Sequence, residues 1–122
     1  MHKILKYICS MSSNKLLKGS LATIVLRLLE EREQMYGYEI TQKVKELTNG
    51  EIKVTEGALY PTLHKLEAEG YLTTETKMVD NRVRKYYALT KEGNAEARNK
   101  VNELETFLLN LQKVLQPKAG LS

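Results

Sequence analysis

The chain has 122 residues, a length for one domain and not for two. Hydrophobic residues make up 42% and charged residues 28%, the balance of a soluble globular protein, and no run reaches the ~18 apolar residues needed to span a bilayer. A single cysteine, Cys9, excludes an intrachain disulfide and fits a reducing, cytoplasmic setting.

The formal net charge of +4 says little about partners, but its distribution says more. Residues 1–18 carry Lys3, Lys6, Lys15 and Lys18 with no acid, and residues 77–85 carry Lys77, Arg82, Arg84 and Lys85 against Asp80. Between them, ten acids outnumber six bases. Two basic stretches around an acidic middle suggest a patch for an anionic polymer, or simply two solvated surface runs.

The start, Met1 to Met11, superficially resembles a signal peptide, yet Lys6 interrupts its apolar run and no small-x-small cleavage site follows. Residues 1–14 are therefore read as an N-terminal extension, with Met11 an alternative start. Leu17, Leu21, Ile24, Val25 and Leu28 then recur at helical spacing and predict an amphipathic helix over 15–32. Ile40, Val44 and Leu47 predict a second from Tyr38 to Thr48, stopped by Asn49-Gly50. A third starts at Thr55 as N-cap, buries Leu59, Leu63 and Leu66, and ends at Gly70.

The pattern next changes to strands, Leu72–Met78 and Val83–Leu89, joined by Asp80-Asn81, two residues that tolerate the positive φ of a tight hairpin. Thr90 caps a last helix on which Ala97, Val101, Leu104, Leu108, Leu111 and Leu115 form a heptad seam ending before Pro117. The expected organisation is an extension over 1–14, a winged-helix domain over 15–89, a dimerisation helix over 90–116 and a tail over 117–122.

Three helices followed by a hairpin is the order of a winged helix-turn-helix, a mainly α (α+β) fold whose third helix enters the DNA major groove. Projected at ~100° per residue, the face opposite the leucines carries Gly57, Pro61 and Ala68, with Ala58, His64 and Lys65 beside them and Tyr60 on the flank. Small residues there let the helix axis approach a groove floor, and Tyr60, His64 and Lys65 have the reach and chemistry for base edges or phosphates. Pro61 removes one helical hydrogen bond and crowds the carbonyl of Gly57. Together Gly57 and Pro61 are expected to shape the first turns for close approach. Lys77, Arg82, Arg84 and Lys85 on the hairpin, with Lys15 and Lys18 on the first helix, are expected to hold phosphates. Affinity is thus assigned mainly to the wing and selectivity to the helix.

Catalysis finds no support. Asp80 is the one aspartate, His2, His64 and Cys9 have no nucleophile–base or metal-site spacing, and there is no glycine-rich phosphate loop. No cofactor or metal is expected. A winged-helix adaptor that binds protein through the same face is the competing reading. The seam, with Phe107 at its flank, is read as a homodimer interface, and intramolecular packing is its alternative.

Tyr36-Gly37-Tyr38-Glu39-Ile40, the run Thr55-Glu56-Gly57-Ala58-Leu59-Tyr60-Pro61-Thr62-Leu63, and Arg84 to Gly93 resemble the signature segments of PadR-type transcriptional regulators. The resemblance extends from about Leu16 to Gly93, and the length is similar to the short branch with one C-terminal helix. It implies a homodimeric repressor on pseudo-palindromic double-stranded DNA, released by a small molecule. It also implies that Tyr60, Pro61, His64 and Lys65 lie on the DNA side, and Thr55 and Gly57 are counted with them as DNA-binding residues. Two departures stand out. The wing tip reads Asp80-Asn81-Arg82-Val83 where the family often has Gly and Pro. The chain has no Trp, and Leu104 falls where some short members stack planar drugs on one, so the effector class stays open.

Overall fold

A computed structural model describes residues 2–116, with side chains from Lys15 onward. The expected tail over 117–122 lies outside the described residues. The elements run α1 (His2–Glu31), β1 (Met35–Tyr36), α2 (Gly37–Leu47), α3 (Glu56–Ala68), β2 (Leu72–Val79), β3 (Arg82–Leu89) and α4 (Lys91–Leu115). Four helices and a small antiparallel sheet in the order β1-β3-β2 make a winged helix with a long last helix. No helix of the described residues is long and apolar enough to cross a membrane.

The first helix begins thirteen residues before Lys15, because nothing between His2 and Asn14 breaks a helix. Its Leu21, Val25, Leu26, Leu28 and Leu29 meet Ile40 and Val44 of α2, Leu59, Leu63 and Leu66 of α3, and Met35, Leu72 and Tyr87 of the sheet in one core. The leucine stripe of α3 is inward as its spacing requires. Leu47 is not: it is 62% exposed at the end of α2, where the helix runs past the core.

The breaks follow side-chain chemistry. Asn49 and Gly50 take φ of 51° and 80° after α2, and the Thr48 hydroxyl donates to the Val44 carbonyl (2.8 Å) while accepting from Ile52 N–H (3.0 Å). Thr55 caps α3, its hydroxyl accepting from Ala58 N–H at 3.2 Å. Asp80 and Asn81 adopt φ of 48° and 62°, the signature of a type I′ hairpin turn, closing β2 on β3 with Val79 opposite Arg82.

The strand β1 is not expected from the residue pattern. Two residues suffice, Met35 and Tyr36, which pair with Tyr87 and Tyr86 and tie the start of α2 to the wing. So short a strand has no period of its own and is defined by its partner.

Candidate nucleic-acid interface

The hydrophobic stripe of α3 faces inward, so its opposite face is set by helix geometry alone. Gly57, Pro61, His64, Lys65 and Ala68 are exposed and Ala58 is half-buried. Pro61, the sixth residue of α3, has no N–H for the Gly57 carbonyl one turn back, and glycine at 57 lets that carbonyl shift most easily. A Cβ on Gly57 would meet nothing within 4 Å, so the fold itself makes no demand for glycine there.

Tyr60 is 36% exposed and has a seat. Its hydroxyl lies over Gly37, the first residue of α2, where a Cβ would come within 2.5 Å of the phenol oxygen. Glycine at 37 therefore admits the ring, which then tilts toward His64 with centroids 6.3 Å apart. Sequence reasoning missed Gly37, because its partner is 23 residues away and only the fold joins them.

The hairpin runs beside the second half of α3. Glu67 joins them, accepting from the Thr74 hydroxyl at 3.2 Å and pairing with Lys85 at 3.6 Å. Lys85 also stands 5.5 Å from the ring centroid of Tyr87. Burial pushes the Tyr87 phenol above its usual range, and the Lys85 charge partly opposes this.

Strand alternation divides the four wing cations. Lys85 shares the inner face with Tyr87, while Lys77, Arg82 and Arg84 lie on the outer face with Tyr86. There the Arg84 guanidinium sits 4.5 Å from the centroid of Tyr36, Lys77 5.1 Å from Tyr86, and the two tyrosines meet edge-on at 5.4 Å. The four cations expected at one tip are thus not equivalent. Arg82 is exposed beside the turn, Lys77 and Arg84 are half-buried on aromatic faces, and Lys85 is engaged by Glu67. Met78 and Val83 also face each other across the tip, 70% and 67% exposed, an apolar pair not anticipated as part of the site. Alternation alone places the pair on the inner face with Tyr87, and their position at the tip, beyond the core, exposes them.

Lys15 and Lys18 are exposed on α1. Among the described residues no three His, Cys, Asp or Glu side chains group as a metal site.

The last helix splits in two. Ala97 is fully buried in the domain core and leaves the expected dimer set, because a side chain already enclosed within one chain has no surface to offer a partner. Val101 and Leu104 are half-buried. Beyond them Phe107, Leu108, Leu111 and Leu115 are exposed, joined by Leu109 and Val114. The intramolecular reading of the seam thus holds for its first part, and the remainder is exposed on the chain.

The family model for PadR-like transcriptional regulators matches residues 25–99, more than half of the chain. The chain belongs to the PadR-like family of transcriptional regulators. The PadR match takes in α2, α3, the hairpin and the first turns of α4, whereas Lys15, Lys18 and the exposed end of α4 lie outside it. The transcriptional regulator Rv3488 of Mycobacterium tuberculosis is 40% identical over 82 residues, 65% of this chain and 74% of that protein. A PadR-family regulator from Eggerthella lenta superposes with a TM-score of 0.76 at 28% identity, covering 93% of this chain and 97% of the other. A transcriptional regulator from Clostridium thermocellum gives a TM-score of 0.76 at 29% identity, over 84% and 99%.

Proposed function

We propose that this PadR-family regulator is a repressor that binds pseudo-palindromic double-stranded DNA as a homodimer and is released by a small-molecule effector. The observation that carries the DNA reading is the outer face of α3, bare of long side chains at Gly57, Pro61 and Ala68 and bordered by Tyr60, His64, Lys65 and the wing. Such a surface fits a major groove closely, and a helix serving only to meet water has no need of it. In this arrangement Lys65 neutralises a phosphate and Tyr60 and His64 reach base edges. The Thr55 hydroxyl accepts from Ala58 N–H, which holds the helix N-terminus in place and leaves its own proton for a phosphate.

The wing supplies the charge. Arg82 is exposed beside the turn, with Lys77 and Arg84 oriented by their tyrosines and Lys15 and Lys18 available from α1. Lys85 contributes by holding the wing to α3 through Glu67. Repression and release by a ligand come from the family, whose effector class here is open.

The homodimer is supported by the apolar end of α4. Phe107, Leu108, Leu111, Val114 and Leu115 share one exposed stripe of α4 at ~100° per residue, of the kind soluble monomers rarely leave in water, with Leu109 exposed away from it. A two-fold pairing there duplicates the reading head, and the half-sites then lie about one helical turn, ~10 bp, or a multiple apart.

Two substitutions test the division of labour. Gly57→Ala leaves the fold intact and stabilises α3 by up to ~1 kcal/mol through helix propensity, but weakens specific DNA binding by filling the close approach. A thermal melt and a binding titration on one preparation check this, and unchanged affinity contradicts it. Arg82→Ala with Arg84→Ala weakens binding to all sequences alike and lowers the salt slope by about 2. A changed sequence preference at an unchanged slope contradicts the assignment of charge to the wing. The reading as a whole is tested by fluorescence anisotropy on duplex from the promoter of the regulator's own operon. Specific unlabelled duplex competes and random duplex does not. Equal competition would favour a protein-binding adaptor.

A further inference from the structure

The end of α3 and the start of α4 are fastened together by residues twenty positions apart. After α3, Gly70 takes a φ of 86°, Gly70 N–H donates to the Glu67 carbonyl (3.0 Å) and Tyr71 N–H to the Leu66 carbonyl (2.9 Å). Thr90 then closes on this turn from the other end of the hairpin. Its hydroxyl donates to the Gly70 carbonyl at 2.7 Å and accepts from Gly93 N–H at 3.0 Å. Its own N–H donates to the Tyr71 carbonyl at 3.0 Å. Gly93 lies directly against that carbonyl, with no room for a Cβ. One hydroxyl therefore both caps α4 and binds the turn that ends α3.

We infer that Thr90, seated against Gly70 and Gly93, sets the angle between the DNA-reading helix and α4, and thereby selects the spacing of the two operator half-sites. The inference rests on the homodimer proposed above. Ala97 and the packing of α4 along α1 hold the helix to the domain, and the hydrogen bonds of Thr90 fix where it starts relative to the end of α3. The seam near Leu104 lies ~20 Å along α4 from Thr90 at 1.5 Å per residue. A tilt of ~10° at the joint moves that point by ~3.5 Å, close to the ~3.4 Å step of one base pair. Small angular errors at Thr90 thus become whole base pairs between reading heads.

Two variants separate capping from joining. Thr90→Asp keeps an N-cap acceptor for Gly93 N–H, but a carboxylate has no proton for the Gly70 carbonyl. Thr90→Ser keeps both bonds. Each is titrated, folded by circular dichroism, against duplexes carrying identical inverted half-sites whose separation changes one base pair at a time, and against an isolated half-site. Wild type and Thr90→Ser should prefer one spacing by at least tenfold over its neighbours. Thr90→Asp should shift that optimum or flatten the preference below threefold, with half-site affinity unchanged within about twofold. A wild-type spacing profile in Thr90→Asp overturns the inference, even if its affinity drops uniformly. If Thr90→Asp does not fold, a Thr90→Ala protein that keeps the wild-type profile overturns it equally, and one that loses the profile supports it. Wild type without preference for any paired half-sites overturns the homodimer reading, and the inference with it.

Discussion

Replacing Gly93 with alanine is expected to cost the protein about 3 kcal/mol, one of the larger losses available to a single methyl group. The added Cβ runs into the carbonyl of Tyr71, and that carbonyl has nowhere to retreat. It already accepts from Thr90 N–H, and the Tyr71 N–H is bound to Leu66, so the chain is held on both sides of the clash. Either α4 lifts from the domain, uncovering Ala97, or the turn after α3 deforms. A loss of this size lowers the melting temperature by roughly 10–15 °C for a domain of this length, measured at fixed protein concentration because the proposed dimerisation would add to apparent stability. Gly19→Ala is the control. Its Cβ meets nothing within 4 Å, so it should leave the melt unchanged or raise it. A Gly93→Ala melt within 3 °C of wild type contradicts the packing described here.

The second large effect concerns assembly. Leu108→Glu combined with Leu111→Glu is expected to convert a dimer into a monomer at micromolar concentration, read by light scattering. It should reduce affinity for a paired operator more than 100-fold. Burying a leucine contributes ~1.5–3 kcal/mol, and two-fold symmetry removes four leucines from the contact while placing four carboxylates in it. The fold of each subunit should survive, since Leu108 and Leu111 are 53% and 37% exposed within the chain and contribute little to its core. Retained affinity for an isolated half-site distinguishes lost assembly from lost structure. A double variant that still scatters as a dimer places the interface elsewhere.

Much of the fold is legible in the residues because its boundaries are made by local chemistry. Thr55 and Thr90 cap, Gly70 terminates, and Asp80-Asn81 turn with the positive φ that their side chains tolerate. The inward stripe of α3 follows from spacing alone, and so does the bare face opposite. What escapes is whatever depends on a distant partner. The strand at Met35–Tyr36 exists because β3 lies beside it, and the value of Gly37 is set by a tyrosine on another helix. The heptad seam shows the same limit. Its period is correct along α4, but periodicity cannot say where the domain ends, so Ala97 reads as interface although it is core. The wing charges were visible as a cluster. Their separation follows from alternation, while the pairing of Lys85 with Glu67 needs the fold.

If the bare face of α3 and the cationic wing together read duplex DNA in a two-fold arrangement, bound duplexes selected from a random pool with the wild-type protein and then sequenced should share one pattern. Enrichment of an inverted repeat with its halves ~10 bp apart or a multiple of that is expected, lost when His64 and Lys65 are both alanine. Recovery of no shared sequence, or the same repeat from the doubly substituted protein, would contradict that arrangement.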